Sequence, residues 1–311
     1  MQINPNTILV GFKGLFWGLL LFFSSGSLAR GEAKPCAILC TTYPIYQITR
    51  NILNGSGERA ELLFSSQVGC PHDYALAPQE LSKLSKAKTL IINGLGMEEF
   101  LGAPLKNINP GIVVIDSSSG LLNLIELAEE SPACEHQHKT INPHLFASPY
   151  MASQLTINIG HQLAKHYKDS ATAILNNTRT YSQKLESLAE QFKSLGSSLA
   201  NRKIVQAHGI YDYLARDMGL IIVANLQGHG QEPSAFEMMN LVSMISKQKV
   251  GAIFSEPQFS QKVAETVAKA TGLRVIQLDP VATGPELVEL DYYERVMQSN
   301  LIKIKEAFQV K

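Results

Sequence analysis

The sequence predicts an α/β protein of two lobes, each a mostly parallel sheet with flanking helices, joined by one long rigid helix. Short apolar, β-branched runs alternate with helical patterns, which is typical of parallel sheets covered on both faces. The runs form two sets of four, and a long amphipathic stretch separates the sets. We therefore expect an N-terminal lobe over 30–167, a linking helix over 168–199 and a C-terminal lobe over 200–311.

The eight apolar runs are the predicted strands. In the first set they are Ala37–Thr42, Ala60–Phe64, Thr89–Ile92 and Ile112–Asp116. In the second set they are Lys203–Ala207, Leu220–Val223, Val250–Phe254 and Arg274–Leu278. The residues between the runs are predicted to form the helices that cover the two sheets.

The stretch from about Lys168 to Leu199 has apolar residues at helical spacing. Its predicted apolar face includes Ala173, Leu175, Leu185, Leu188, Ala189, Phe192 and Leu195. Roughly 28 helical residues would be about 40 Å long, enough for a stiff connection between lobes. The alternative is two shorter helices with a break near Asn176 and Asn177.

The charge balance and the N-terminus narrow the function classes. Lys+Arg and Asp+Glu are equal at 27 each, so nothing points to a nucleic-acid partner. Lys13, an apolar run ending at Phe23 and small residues up to Ala29 have the layout of a secretory signal. We expect a signal peptide over 1–29 and a periplasmic protein. An uncleaved anchor is the alternative, although the run is short for about 30 Å of hydrocarbon.

The four cysteines are Cys36, Cys40, Cys70 and Cys134. An even number in an exported chain permits disulfides. Cys36 directly precedes the first predicted strand and Cys40 lies within it, and four residues of extended chain span roughly 13 Å, beyond the roughly 7 Å that a disulfide tolerates. These two are therefore not expected to pair with each other. The other pairings stay open, as does the alternative that the thiols are simply buried.

Five side chains with metal-binding chemistry follow predicted strands. They are His72, His144, His208, Glu256 and Asp279. Ligands of open α/β sheets bind beyond the carboxyl ends of strands, so these groups would converge if the lobes face each other. Three imidazoles and one carboxylate suit four-coordinate Zn²⁺. Taken singly, each has a plainer interpretation, such as a surface histidine or a helix-capping aspartate.

Several longer motifs give the chain a family resemblance. They are Thr42–Tyr46, Pro71–Pro78, Asn142–Pro149, Ala207–Tyr213, Ala252–Gly272 and Leu278–Pro280. In order and spacing these motifs resemble the ZnuA/TroA-type, or cluster A-I, periplasmic metal-binding proteins of bacterial ABC importers, with the zinc-binding ZnuA type closest. The resemblance covers essentially the whole mature chain.

The resemblance implies two lobes joined by one long helix, with the metal between the lobes. It places the ligands at His72, His144, His208 and Asp279, and gives Glu256 a supporting or structural role.

Two departures from the family pattern concern the site. Asn142 stands where the second motif usually has Asp, which drops a charge near the metal, and Gly209-Ile replaces the usual residues of the third motif. The long His-rich loop of zinc-type members is short here. Its His136 and His138 are weak accessory ligand candidates, with an ordinary polar loop as the alternative.

The implied function is capture of Zn²⁺ and delivery to an ABC transporter permease with its cytoplasmic ATPase. We expect a monomer with no catalytic residues, and the chain contains no G-x-x-x-x-G-K-S/T phosphate loop. One alternative is a manganese or iron importer of the same family, since Mn²⁺ or Fe²⁺ would favour a further carboxylate. A more distant one is a zinc hydrolase with Glu256 as general base, although neither H-E-x-x-H nor G-x-S-x-G occurs.

Overall fold

The structure is a computed structural model that describes residues 37–69, 74–127, 140–227, 233–258 and 260–309. The predicted signal peptide and the candidate ligands His72, His136 and His138 lie outside these ranges, as do three of the four cysteines. Cys40 is buried in the first strand. Across the described ranges, no helix combines the length and the hydropathy needed to cross a bilayer.

The first sheet has four parallel strands in the order β2-β1-β3-β4. The strands are β1 (Ile38–Cys40), β2 (Ala60–Leu62), β3 (Thr89–Ile92) and β4 (Val113–Asp116). Around them lie α1 (Tyr43–Leu53), α2 (Pro78–Lys86), α3 (Gly102–Ile108) and α4 (Pro149–His166), with 3-10 turns at Glu99–Leu101 and Leu145–Ala147. The central strands are almost fully buried, which is why they are continuous apolar runs in the sequence.

The second sheet repeats this topology in the order β6-β5-β7-β8, again all parallel. Its strands are β5 (Lys203–Gln206), β6 (Ile221–Asn225), β7 (Ala252–Ser255) and β8 (Arg274–Gln277). Its helices are α6 (Asp212–Met218), α7 (Ala235–Gln248), α8 (Lys262–Thr271) and α9 (Tyr292–Ala307), and a 3-10 turn covers Gly209–Tyr211. The predicted two-sheet α/β fold is thus confirmed.

A single helix connects the two sheets. This helix, α5 (Ala171–Ser198), follows a 3-10 turn at Lys168–Ser170 and is continuous over 28 residues. The predicted alternative of a break near Asn177 is wrong. The Asn177 amide donates instead to the carbonyls of Ile52 and Asn54 at the end of α1, at 3.0 and 2.6 Å. The predicted apolar face needs one correction, because Leu175 is exposed and Ile174 takes the buried position.

The long helix packs against elements of both lobes. It contacts α1 and α4 on the first lobe and α6 and α9 on the second, within one continuous hydrophobic core. The approach of α4 is close: a Cβ added at Gly160 would lie 1.9 Å from the Thr178 hydroxyl. The lobes are therefore joined by packed side chains as well as by the chain itself.

Side chains of the first lobe also bind the segment that follows β8. Four of them donate hydrogen bonds to its backbone carbonyls at 2.8 to 2.9 Å. The pairs are Gln67 to Gly284, Tyr43 to Pro285, Arg50 to Val288 and Asn51 to Leu290. We call residues 284–290 the crossing segment, because it extends from the second lobe onto the surface of the first.

Candidate metal centre

Three candidate residues follow neighbouring strands of the second sheet. His208 comes two residues after β5, Glu256 directly after β7 and Asp279 two residues after β8. Because β5, β7 and β8 are adjacent and parallel, their carboxyl ends lie at one edge of the sheet. The strand order therefore places the three residues at this edge, as the sequence predicts.

His208 and Glu256 form a close pair. The His208 Nδ1 lies 2.5 Å from a carboxylate oxygen of Glu256, and the Glu256 side chain is 1% exposed against 20% for His208. When this carboxylate is ionised it can only accept a hydrogen bond, so Nδ1 carries the hydrogen. In a neutral imidazole the lone pair is then on Nε2. Carboxylate–histidine contacts of this kind orient metal-ligating histidines.

His144 lies in a loop that both lobes hold in place. Three side chains donate to its backbone carbonyls: Asn93 to Pro143 at 3.0 Å, Tyr213 to Asn142 at 2.8 Å and Tyr293 to Phe146 at 2.8 Å. The two tyrosines belong to α6 and α9 of the second lobe. Burial raises the pKa of Tyr213 and that of Tyr293, so both hydroxyls keep the proton that they donate.

Glu98 supports the same loop and was missed in the sequence. Its buried carboxylate accepts from the Thr41 hydroxyl at 2.6 Å and from the backbone N–H groups of Asn93 and Gly94 at 2.8 and 3.1 Å. Burial raises the pKa of this carboxyl. In the sequence, Glu98 is a glutamate shortly after an apolar run. A glutamate at such a position is usually an exposed residue near the start of a helix, so the sequence does not single it out.

The rings of His144, from the first lobe, and His208, from the second, lie edge to face. Their centroids are 5.5 Å apart and their planes meet at 88°. With Zn–N bonds of about 2.0–2.1 Å, two imidazoles on one tetrahedral ion would have ring centres about 5 Å apart. The observed separation therefore fits two ligands of one ion.

Asp279 is held by its backbone and by one carboxylate oxygen. Asn300 exchanges two hydrogen bonds with the backbone of Asp279, at 3.0 and 2.7 Å. The Oδ1 atom accepts from the N–H of Val281 at 2.8 Å, and Val281 has a left-handed φ of 63°. Such backbone is costly for a β-branched residue and is found where surrounding contacts enforce it. Burial raises the pKa of the Asp279 carboxyl.

A cavity of about 620 Å³ opens beside Asp279. Gln67 and Gly69 line it from the first lobe, and Gln258 and Thr283 line it from the second. Gln258 donates to the Thr283 hydroxyl at 3.1 Å and lies 3.4 Å from Asp279 Oδ1. Gly69 is the last described residue before the segment that contains His72.

The described residues bring part of the predicted ligand set together. His208 lies against both the His144 ring and the Glu256 carboxylate, and Asp279 follows a strand at the same sheet edge. His72 is outside the described ranges. Within those ranges, no group of three or more His, Cys, Asp or Glu side chains is arranged to hold a metal ion.

Two parallel sheets joined by one packed helix, with His144 and His208 in ring contact and a cavity lined from both lobes, are the architecture of a two-lobed solute-binding protein. The chain belongs to the family described as ZnuA, zinc-uptake complex component A periplasmic, which matches residues 38–307. It is 28% identical over 302 residues to "High-affinity zinc uptake system protein ZnuA" of Bacillus subtilis (strain 168), covering 93% of this chain and 92% of that one.

Solved structures agree with this assignment. A crystal structure of ZnuA superposes with a TM-score of 0.74 at 27% identity, covering 88% of this chain and 98% of the other. The solute-binding protein FpvC of Pseudomonas aeruginosa, in complex with Mn²⁺, gives 0.76 at 25% identity, covering 89% and 99%. The family resemblance expected from the motifs is therefore confirmed.

Proposed function

We propose that this chain captures Zn²⁺ in the periplasm and delivers it to the permease of an ABC importer. The observation that carries the proposal is the His144–His208 pair, with centroids 5.5 Å apart. Each ring has its Nδ1 against a protein oxygen, which makes Nε2 the nitrogen with the lone pair. His72 and Asp279 complete the proposed ligand set.

The proposed ligand set favours binding over catalysis. Three imidazoles and a carboxylate fill the four positions that Zn²⁺ prefers, and a filled sphere has no position for a reactive water. Glu256 is a poor candidate for the general base of a hydrolase, because its carboxylate is buried and contacts His208. We assign to Glu256 the orientation of the His208 ring.

The second candidate cargo is Mn²⁺ or Fe²⁺. The similarity to the Mn²⁺ complex of FpvC supports it. These harder ions prefer carboxylate oxygen, whereas imidazole suits zinc. The nitrogen-rich ligand set therefore favours zinc.

Metal analysis and titration test the function. Protein purified without added metal should contain zinc by elemental analysis, and the stripped protein should bind one Zn²⁺ more tightly than Mn²⁺ or Fe²⁺. Preferential binding of Mn²⁺ or Fe²⁺ would support the second candidate. Turnover in a hydrolase substrate screen would contradict a pure binding role.

Single variants test the ligands. We expect His72→Ala, His144→Ala, His208→Ala and Asp279→Ala each to weaken zinc binding by orders of magnitude, and to reduce the stabilisation that bound zinc gives on heating. His161→Ala is the matched control, because His161 is exposed on α4, far along the chain from any strand end. Unchanged affinity in any two of the four ligand variants contradicts the assignment.

The short loop with His136 and His138 has a lesser proposed role. Fixing a chain segment costs about 1–2 kcal/mol per residue. His144, His208 and Asp279 are already held by hydrogen bonds or an ion-pair contact. We assign to His136 and His138 at most weak collection of zinc. Deletion of residues 135–139 should leave one tight zinc per chain, and loss of the tight event would mean that the site has been misplaced.

Export by the segment 1–29, a monomeric state and an ABC permease with its ATPase as partners complete the proposal. Cell fractionation and size-exclusion chromatography test the first two. Recovery of the chain in the cytoplasm would contradict the delivery role.

A further inference from the structure

The side chain of Asn142 connects His144 to the second lobe. Its Oδ1 accepts from the backbone N–H of His144 at 2.9 Å and lies 2.8 Å from His144 Nδ1. Its Nδ2 donates to the Gly209 carbonyl at 2.7 Å and to a carboxylate oxygen of Asp212 at 2.8 Å. All four contacts of the amide are therefore of hydrogen-bond length.

These partners fix which way the amide points. A backbone N–H can only donate, so the atom facing His144 must be the oxygen. A carbonyl and a carboxylate can only accept, so the atom facing Gly209 and Asp212 must be the nitrogen. Because Oδ1 has no hydrogen, the short contact with His144 Nδ1 requires that Nδ1 carries one.

Asp212 is itself fixed on its other side. The fully buried Gln206 donates to its second carboxylate oxygen at 2.5 Å and to Asn225 at 2.9 Å. Gly209 leaves room for this arrangement, since an added Cβ would lie 3.3 Å from the Asp212 carboxylate and 3.5 Å from Asn142 Nδ2. The chain from Gln206 to His144 thus consists of short, directed hydrogen bonds.

We propose that Asp212 is a positioning residue that acts through Asn142 to hold His144 as the Nδ1–H tautomer, with the Nε2 lone pair for the ion. The inference rests on the proposed metal-binding function and extends it to a residue of the opposite lobe. The Asp212 carboxylate polarises the Asn142 amide. The amide oxygen, as acceptor of the Nδ1–H bond, in turn makes the His144 Nε2 lone pair a stronger ligand for the ion. A carboxylate at position 142 would instead face Asp212, so Asn142 and Asp212 form a matched pair.

The tautomer can be measured without metal. Long-range ¹H–¹⁵N correlation spectra of metal-free protein should show His144 as Nδ1–H. In Asn142→Ala the acceptor is gone, and Nε2–H, which free histidine prefers in water, should become populated. An Nε2–H signal in the wild type, or an unchanged tautomer in Asn142→Ala, overturns the inference.

An exchange of the two side chains tests the matched pair. We expect Asn142→Asp and Asp212→Asn each to weaken zinc binding roughly tenfold to hundredfold. The double variant Asn142→Asp/Asp212→Asn restores an amide opposite a carboxylate, so it should bind at least about tenfold more tightly than Asn142→Asp alone. Additive losses overturn the pairing. Asp169→Asn, at an exposed position, controls for the change in net charge.

The two proposals fail in different ways. A wild-type protein that does not bind zinc, yet shows His144 as Nδ1–H, contradicts the proposed function and leaves the positioning role intact. If the wild type binds zinc but the losses of affinity in Asn142→Asp and Asp212→Asn add up in the double variant, only the positioning role is contradicted. Melting curves identify variants that do not fold, and if Asn142→Asp is one of them, Asp212→Asn together with the tautomer measurement decides the matter.

Discussion

Substitution of Gly284 by Ala tests the contact between the crossing segment and the first lobe. A Cβ at Gly284 would lie 2.5 Å from both the hydroxyl and a ring carbon of Tyr43. The Tyr43 side chain is 1% exposed and donates to Pro285 at 2.8 Å. Gly284 itself donates to the Ser66 carbonyl at 3.1 Å and accepts from Gln67 at 2.8 Å.

The expected magnitude follows from these contacts. Overpacking by one methyl group costs about 1–3 kcal/mol. The ring of Tyr43 can yield only by giving up its hydrogen bond, and the backbone can yield only by stretching the two bonds of Gly284; one such bond is worth about 0.5–1.5 kcal/mol. We expect a loss of about 2–4 kcal/mol in total. With an unfolding entropy of about 2.1 cal/mol/K per residue, a chain of this size loses about 1.5–2 °C per kcal/mol, so Tm should fall by roughly 3–8 °C.

Thermal denaturation of metal-free protein measures the effect, with Gly102→Ala as the matched control. Gly102 begins α3 with a helical φ of −53°, and an added Cβ would meet nothing within 4 Å. The control should therefore be neutral or up to about 1 kcal/mol more stable. A Gly284→Ala protein that melts with the wild type would refute the steric argument.

Three further predictions concern the loop of His144 and the joint between the lobes. Tyr293→Phe removes the hydroxyl that donates to the buried carbonyl of Phe146. Urea denaturation should show a loss of about 1–3 kcal/mol in unfolding free energy, and an unchanged value would mean that this hydrogen bond contributes nothing. Burial raises the pKa of the Glu98 carboxyl above its ordinary 4.5, so the folded protein keeps the carboxyl protonated to a higher pH than the unfolded chain does. The stability that comes from this protonation is lost as pH rises through the folded pKa. The unfolding free energy of Glu98→Gln relative to wild type should therefore increase from pH 4.5 upward in denaturant titrations, and a flat difference contradicts the assignment. Since the lobes share one core, small-angle scattering should give nearly equal radii of gyration with and without zinc, and a large decrease on loading would contradict a stiff joint.

The strands could be predicted because buried parallel strands are continuous apolar runs, but their ends could not. The apolar run predicts the first strand over Ala37–Thr42, whereas the strand is Ile38–Cys40. The backbone N–H of Thr41 still donates to Ile91 of β3 at 3.0 Å, but its hydroxyl donates to Glu98, and Thr42 is the residue before the first turn of α1. Both roles depend on partners outside the strand, so the local pattern contains no sign of them.

The sequence predicts the candidate ligands at the strand ends. It does not predict the residues that hold those ligands in place. Histidines and carboxylates after strands are visible in the sequence, because the sheet edge collects them. In the sequence, Asn142 stands out only because it replaces the Asp, and so the negative charge, that the family motif usually has. Its partner Asp212 lies 70 residues further on, in the other lobe. Glu98 reaches the loop of His144 through Asn93. These contacts arise from packing between elements, which has no fixed sequence spacing.

The same contacts bear on how the proposed site would release its ion. Residues of both lobes fix the loop of His144, and the Asn142–Asp212 bond joins that loop to the start of α6. A ligand held from both sides is preorganised, which favours tight capture because little entropy remains to be lost on binding. Opening the lobes as rigid bodies would break this bond together with those of the crossing segment. We therefore expect release to begin with movement of a ligand loop, which disturbs fewer contacts than separation of the lobes.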